Sequence, residues 1–334
     1  VALYLQRISS ATTVTGGAIG DEWIAGRTAD ATNTGYEYCS LQELLDSYTV
    51  LLQKTGEPRI ADEIENIFYN AAQGSRNPDH SAIAYLKTDN SYEMKGTRNG
   101  EIEPGRNQTR YKYSPAHQDV AVCCNPNAGR ITPYFLQSAW MLEDDQTLVS
   151  LLLCPNVLKL KEGNTDVNIE VKTDYPYSNK FTYMIKLEKD HDFQIKIRKP
   201  AWVKEIKTFE KYHIENDLIV IDRPLKKEDR IDLEFSAEVV VKEGQNHEKY
   251  FTYGALVYAR PINSTPQIGK EYAPGFNDWN YSSTDSVKYQ FIDDHQAVYH
   301  DGKITVSLKN KTTGKIERVE LVPFGKTILR QVGF

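Results

Sequence analysis

The stretch SLQELLDSYTVLLQKTGEPRIADEIENIFYNAAQG, residues 40–74, returns an apolar side chain every three or four positions, which is the spacing of one helix face. Leu41, Leu44, Leu45, Tyr48, Leu51 and Leu52 form a first stripe, and Ile60, Ile64, Ile67, Phe68 and Ala71 form a second. Ser40, with Glu43 three positions on, reads as an N-cap, and Gly56 reads as the stop of the first helix. Two helices joined by so short a turn make a hairpin. A third helix is expected from Asn125 through Leu142, with Pro126 in its first turn and Pro133 as a kink.

Beyond residue 143 the period changes. DVNIEVKT, FTYMIKLE, DFQIKIRKP, DLIVIDRP, DRIDLEFS and ALVYARP alternate apolar with polar residues between turn signals, a pattern of antiparallel strands in sandwich domains. Residues 263–300 read as loop-rich, and KITVSLKN with RVELVPFG closes the chain as further strands. The fold class is therefore mixed, with helices first and sheets after.

Forty basic against 46 acidic residues give a formal charge of −6, and no basic stripe exists to track phosphates. Nucleic acid is not an expected partner. The longest apolar run, LVSLLL at 148–153, is far shorter than the roughly 20 residues of a membrane-spanning helix. TGGAIG lacks the GxGxxG spacing of a dinucleotide site. The seven histidines show no HExxH or HxH spacing, which argues against a histidine metal centre; His117, near the cysteine pair, reads as a surface-loop residue or as part of a pocket wall.

The four cysteines are more telling. Cys154 lies in the apolar run LLLCPNVL and reads as a small buried hydrophobe. Cys123 and Cys124 are adjacent, and neighbouring thiols close only a strained disulfide ring. In GYEYCS, Glu37 and Cys39 are two apart, so an extended segment places both on one face. One carboxylate and three thiols are ligand types that zinc accepts. The spacing is not that of a zinc finger, and buried or disulfide-linked cysteines are the alternatives it leaves.

TGGAIGDEW, GYEYCS, VCCNPN, IRKPAWVK and YGALVYA occur in that order along nearly the whole chain. This series resembles the landmark segments of glycoside hydrolase family 127, the β-L-arabinofuranosidase family. The resemblance implies one zinc ion held by Glu37, Cys39, Cys123 and Cys124, with Cys123 as the nucleophile. It implies Glu22 as general acid/base, with Asp21 beside it competing for that role, and it matches Tyr85 to a tyrosine close to the nucleophile. A retaining glycosidase ordinarily uses two carboxylates about 5 Å apart; here a sulfur would replace one of them.

The same resemblance implies that residues 1–142 are the C-terminal part of an (α/α)6 catalytic barrel, followed by β-sandwiches at 143–245 and 246–334. The missing N-terminal half of the same enzyme would be a partner of this segment, and without it the faces led by Leu44, Leu51, Ile64 and Phe68 are expected to stay partly uncovered. The leading function is exo-acting release of terminal β-L-arabinofuranose from a small carbohydrate or plant cell-wall glycan. Two alternatives stand beside it: the same mechanism on another rare pectic sugar, and a non-catalytic carbohydrate-binding protein in which zinc only ties helices together. Thiols kept reduced by zinc fit the periplasm and the cytoplasm alike.

Overall fold

The computed structural model describes residues 2–20, 26–98, 110–118, 122–162, 165–188 and 193–334. Four α-helices occur among the described residues: α1 (Ala2–Ser10), α2 (Tyr38–Thr55), α3 (Pro58–Asn66) and α4 (Cys124–Gln137). The rest is mostly sheet. No helix among the described residues is long and apolar enough to cross a membrane.

The helical hairpin forms where the periodicity places it. Leu41, Leu45 and Leu52 on α2 are fully buried, as are Ala61 and Ile64 on α3. Gly56 adopts φ +63°, and its N–H closes on the Leu52 carbonyl at 2.8 Å, the left-handed stop that glycine permits at low cost. Pro58 opens α3, where its missing N–H would have had no helical partner. After Asn66 the coil widens to a π-helix over Ile67–Ala72. Within it the Asn70 side chain pairs with the backbone of Ala255 and Val257, at 2.9 Å each.

Three local expectations are corrected. Ser40 is not the N-cap: α2 begins two residues earlier, and the Ser40 hydroxyl donates back to the Glu37 carbonyl at 2.7 Å. The third helix ends at Gln137, and Trp140–Asp144 is already a strand; a few apolar residues cannot separate the two periods at such a junction. Residues 264–283 are not loop but a long hairpin, Ser264–Ala273 with Phe276–Ser283. Its first strand is exposed almost throughout, so no apolar alternation marks it. Of the side chains expected to stay uncovered, Ile64 is fully buried, whereas Leu44, Leu51 and Phe68 are half-buried.

The chain resolves into two compact units. One comprises residues 45–65 and 132–238. It holds a five-stranded antiparallel sheet (Asn156–Glu162, Thr165–Lys172, Lys180–Leu187, Glu228–Ser236, Glu205–Lys207) and a second five-stranded sheet with one parallel pair, Gln194–Arg198 beside Thr147–Ser150. Alternate residues such as Phe181, Tyr183 and Ile185 turn inward. Arg198, wholly buried, ion-pairs with Asp62 and Glu65 of α3 and donates through Nε to the Leu151 carbonyl at 2.6 Å. Glu65 also accepts from Tyr175 Oη at 2.7 Å and from the Leu153 N–H at 2.6 Å.

The other unit comprises residues 1–44, 66–131 and 239–334. It contains an eight-stranded sheet from the C-terminal region and a six-stranded sheet in which Tyr113 pairs with Trp279 and Met94 with Tyr281. A two-stranded ladder, Tyr36–Glu37 against Leu86–Lys87, completes it. Arg330 is buried in this unit and donates to the carbonyls of Gly74, Thr88 and Asp89 and to the Tyr36 hydroxyl. That guanidinium ties the Tyr36 side chain to the segment just after Lys87.

Candidate active site

Glu37 is the last residue of its short strand, and α2 starts at Tyr38. Cys39 thus sits in the first turn of a helix rather than in an extended segment. Register with the partner strand sets Glu37 opposite Leu86, next to Tyr85. The Asn127 N–H bonds to the Cys123 carbonyl at 3.3 Å, which makes Cys123 the residue capping α4 and Cys124 its first helical residue. Three chain segments thereby bring their functional side chains to one point.

The glycines of TGGAIG explain how the segments come so close. A β-carbon on Gly17 would lie 2.2 Å from the Tyr36 ring, and one on Gly20 would lie 2.4 Å from the Glu37 nitrogen and 2.7 Å from the Ser40 hydroxyl. The motif is a flat bed on which the Glu37–Cys39 segment rests. Gly20→Ala is expected to destabilise the metal-free protein by about 1–3 kcal/mol, the usual cost of overpacking against atoms that cannot give way. Urea unfolding measures this, and an unchanged midpoint would contradict the role assigned to the contact.

At the junction Cys39 Sγ lies 3.5 Å from Cys124 Sγ, and Glu37 Oε1 lies 3.4 Å from both Cys123 Sγ and Cys124 Sγ. The four donor atoms all lie within 4.8 Å of one another, and the cysteines are free thiols. A tetrahedral zinc with its usual bond lengths needs ligand atoms about 3.6–3.8 Å apart. Donor set and spacing therefore both fit zinc. The hydrogen bond from Cys124 draws the Cys39 thiol down to about 7, and the same contact, with burial, drives Cys124 far up. Burial also raises Cys123, against the pull of the Tyr85 hydroxyl.

Tyr85 is buried, and its hydroxyl lies 3.4 Å from Cys123 Sγ. Burial, reinforced by its contact with Cys123, raises the phenol strongly, so Tyr85 keeps its proton. His117 is not in a surface loop. It is fully buried at φ +46°, its Nε2 lies 2.9 Å from the Ile83 carbonyl, and its ring stands edge-on to Tyr85 at 5.7 Å. It backs the tyrosine. Cys154 is buried, as its sequence context suggests. Glu22 and Asp21 lie outside the described residues.

Two residues escaped the sequence reading. Asn127 places Nδ2 3.0 Å from Cys39 Sγ, and its only signal was its position three residues after Cys124, on the same helix face. Arg198 belongs to IRKPAWVK, which therefore serves packing: Trp202 of the same segment stacks on Tyr175 at 6.4 Å and meets Phe235 edge-on at 6.1 Å.

Residues 5–137 match the profile of the β-L-arabinofuranosidase GH127 catalytic domain, and residues 147–237 match that of the GH127 middle domain. The chain belongs to glycoside hydrolase family 127. No curated protein matches the sequence. Among solved structures, a GH127 β-L-arabinofuranosidase from Geobacillus stearothermophilus T6 is similar, with a TM-score of 0.68 and 15% identity over 99% of this chain and 54% of that one. A further GH127 β-arabinofuranosidase gives a TM-score of 0.67 at 15% identity, covering 99% of this chain and 54% of its own. A structure described as a glycoside hydrolase gives 0.70 at 15% identity, with 99% and 59% covered. At this identity the likeness shows the fold, and the GH127 chain spans little more than half the length of these structures.

Proposed function

We propose that this GH127 chain carries the nucleophile and the metal ligands of a retaining exo-glycosidase that releases terminal β-L-arabinofuranose from plant-type glycans. The observation that carries the reading is the meeting of Glu37, Cys39, Cys123 and Cys124 at one point, with the Tyr85 hydroxyl beside Cys123. When bound to these four residues, zinc holds the thiols as thiolates near neutral pH and fixes their direction.

In the first step the Cys123 sulfur attacks the anomeric carbon. The carbon–sulfur bond forms as the bond to the leaving oxygen breaks, and Glu22 gives that oxygen its proton. In the second step Glu22 takes a proton from water, the water oxygen bonds to the anomeric carbon, and the sulfur departs as thiolate. Two inversions give net retention. Tyr85 remains protonated and directs its hydroxyl toward the sulfur, which favours the anion during departure.

The family matches at 5–137 and 147–237 support a catalytic segment followed by a middle domain; we read residues 1–142 as part of an (α/α)6 barrel and 143–245 and 246–334 as β-sandwiches. The remaining helices of such a barrel would lie in the part of the relatives that this chain does not span. Metal analysis of the folded protein, paired with a panel of nitrophenyl glycosides and plant cell-wall polymers, tests the reading. About one zinc per chain and release of arabinose are expected. Release of another sugar would redirect the substrate assignment, and zinc without hydrolysis even in a form extended to the relatives' full length would leave a structural metal site.

A further inference from the structure

We infer that Asn127, locked by Arg130, is a positioning residue that fixes the Cys39 sulfur within the metal site; the inference rests on the reading of the four-residue cluster as a zinc centre. Asn127 lies on α4 one turn beyond Cys124 and is 9% exposed. Its Nδ2 stands 3.0 Å from Cys39 Sγ, and its Oδ1 accepts from Arg130 Nη1 at 3.0 Å. A guanidinium can only donate hydrogen bonds. The amide oxygen must therefore face Arg130, and the amide N–H must face the sulfur. This chemical logic, and not the placement of two similar atoms, decides the orientation.

The arrangement has an electrostatic purpose. Three thiolates and one carboxylate carry a formal charge of −4, which one divalent ion only half neutralises. Donors from outside the ligand set must offset the remainder, and they are divided between the sulfurs. Tyr85 lies beside Cys123, and Asn127 lies beside Cys39. Cys39 is thus held by an amide whose own oxygen is pinned to the same helix, whereas the donor beside Cys123 is a hydroxyl that can rotate. The pair makes Cys39 the stationary ligand, and a sulfur held in one direction needs less ordering when the metal arrives.

Asn127→Asp keeps the side-chain shape and turns an acceptor toward the sulfur, whereas Arg130→Gln leaves the amide in place without its lock. The test measures zinc affinity by chelator competition, and the sulfur-to-metal charge-transfer band after loading with Co(II). Asn127→Asp should weaken zinc about 10–100-fold, as lost outer-shell partners do, and should shift the band. Arg130→Gln should change both in the same direction by less, with an unchanged unfolding midpoint in the metal-free protein. An affinity within about twofold of the unmodified protein, with the band unmoved, overturns the inference. Should Asn127→Asp fail to fold, the same outcome for Arg130→Gln overturns it. No zinc binding by the unmodified protein would overturn the metal reading and this inference together; tight, unaltered binding by all three proteins would sink the inference alone.

Discussion

Replacing Cys123 by serine is expected to lower turnover by roughly 10³-fold or more while the protein stays folded, because effects of this size accompany loss of a covalent nucleophile. A hydroxyl at this point fails twice. It stays protonated where a thiol can be held as thiolate, and once bonded to the sugar it leaves as a poor alkoxide. The folded state should survive, since Cys123 caps α4 through its backbone carbonyl and not through its sulfur. Circular dichroism and steady-state kinetics on nitrophenyl arabinofuranoside make the comparison. A haloacetamide-bearing sugar analogue should label Cys123 in the unmodified protein. Cys154 is an internal control, because burial pushes its thiol up to about 12 and keeps it unreactive. Labelling at Cys154, or full activity in the serine variant, would end the nucleophile assignment.

The second large effect is on stability. Arg198→Met is expected to cost about 3–5 kcal/mol, the usual consequence of removing one partner from a buried ion pair. Arg198 is wholly buried and Glu65 is 2% exposed, so the carboxylate would lose its counter-ion without gaining water. Burial already pushes Glu65 above the ordinary carboxylate range, and Arg198 works against that shift. Without the arginine the folded-state value rises further. A carboxyl raised on folding binds its proton more tightly in the native state, so stability falls as pH climbs from the unfolded-state value through the folded one. The deficit of the variant should therefore be small in acid and grow toward neutral pH. Urea midpoints across that range measure it, and a deficit that does not change with pH would contradict the account. Glu65→Leu combined with Arg198→Met should recover much of the loss, since an apolar pair leaves no charge behind.

Elements that repeat with a period are legible in the sequence, and features that depend on a distant partner are not. The pair α2 and α3 is legible because one face of each is buried, and strands such as Lys180–Leu187 are legible because every second residue turns inward. Ser264–Ala273 has no buried face, so composition alone cannot distinguish it from loop. The four residues of the candidate metal site could be named because carboxylate and thiols are chemically distinctive. Asn127 has no such label, because asparagine occurs wherever turns and caps do. Glycines gave the reverse difficulty. Gly17 and Gly20 were visible as a motif, yet their function, close approach to Tyr36 and Glu37, depends on a chain segment some twenty residues away. His117 looked like a loop residue because the sequence around it is polar, and it is buried because its ring leans on Tyr85.

Arg330 gives the protein a history as well as a shape. The arginine that clamps the ladder is separated by 294 residues from Tyr36 and by 242 from Thr88. At ordinary rates of synthesis, roughly 5–20 residues per second, the ladder leaves the ribosome some ten to sixty seconds before its clamp exists. Through most of that interval Cys39, Cys123 and Cys124 are nascent thiols in a unit that still lacks its buried guanidinium.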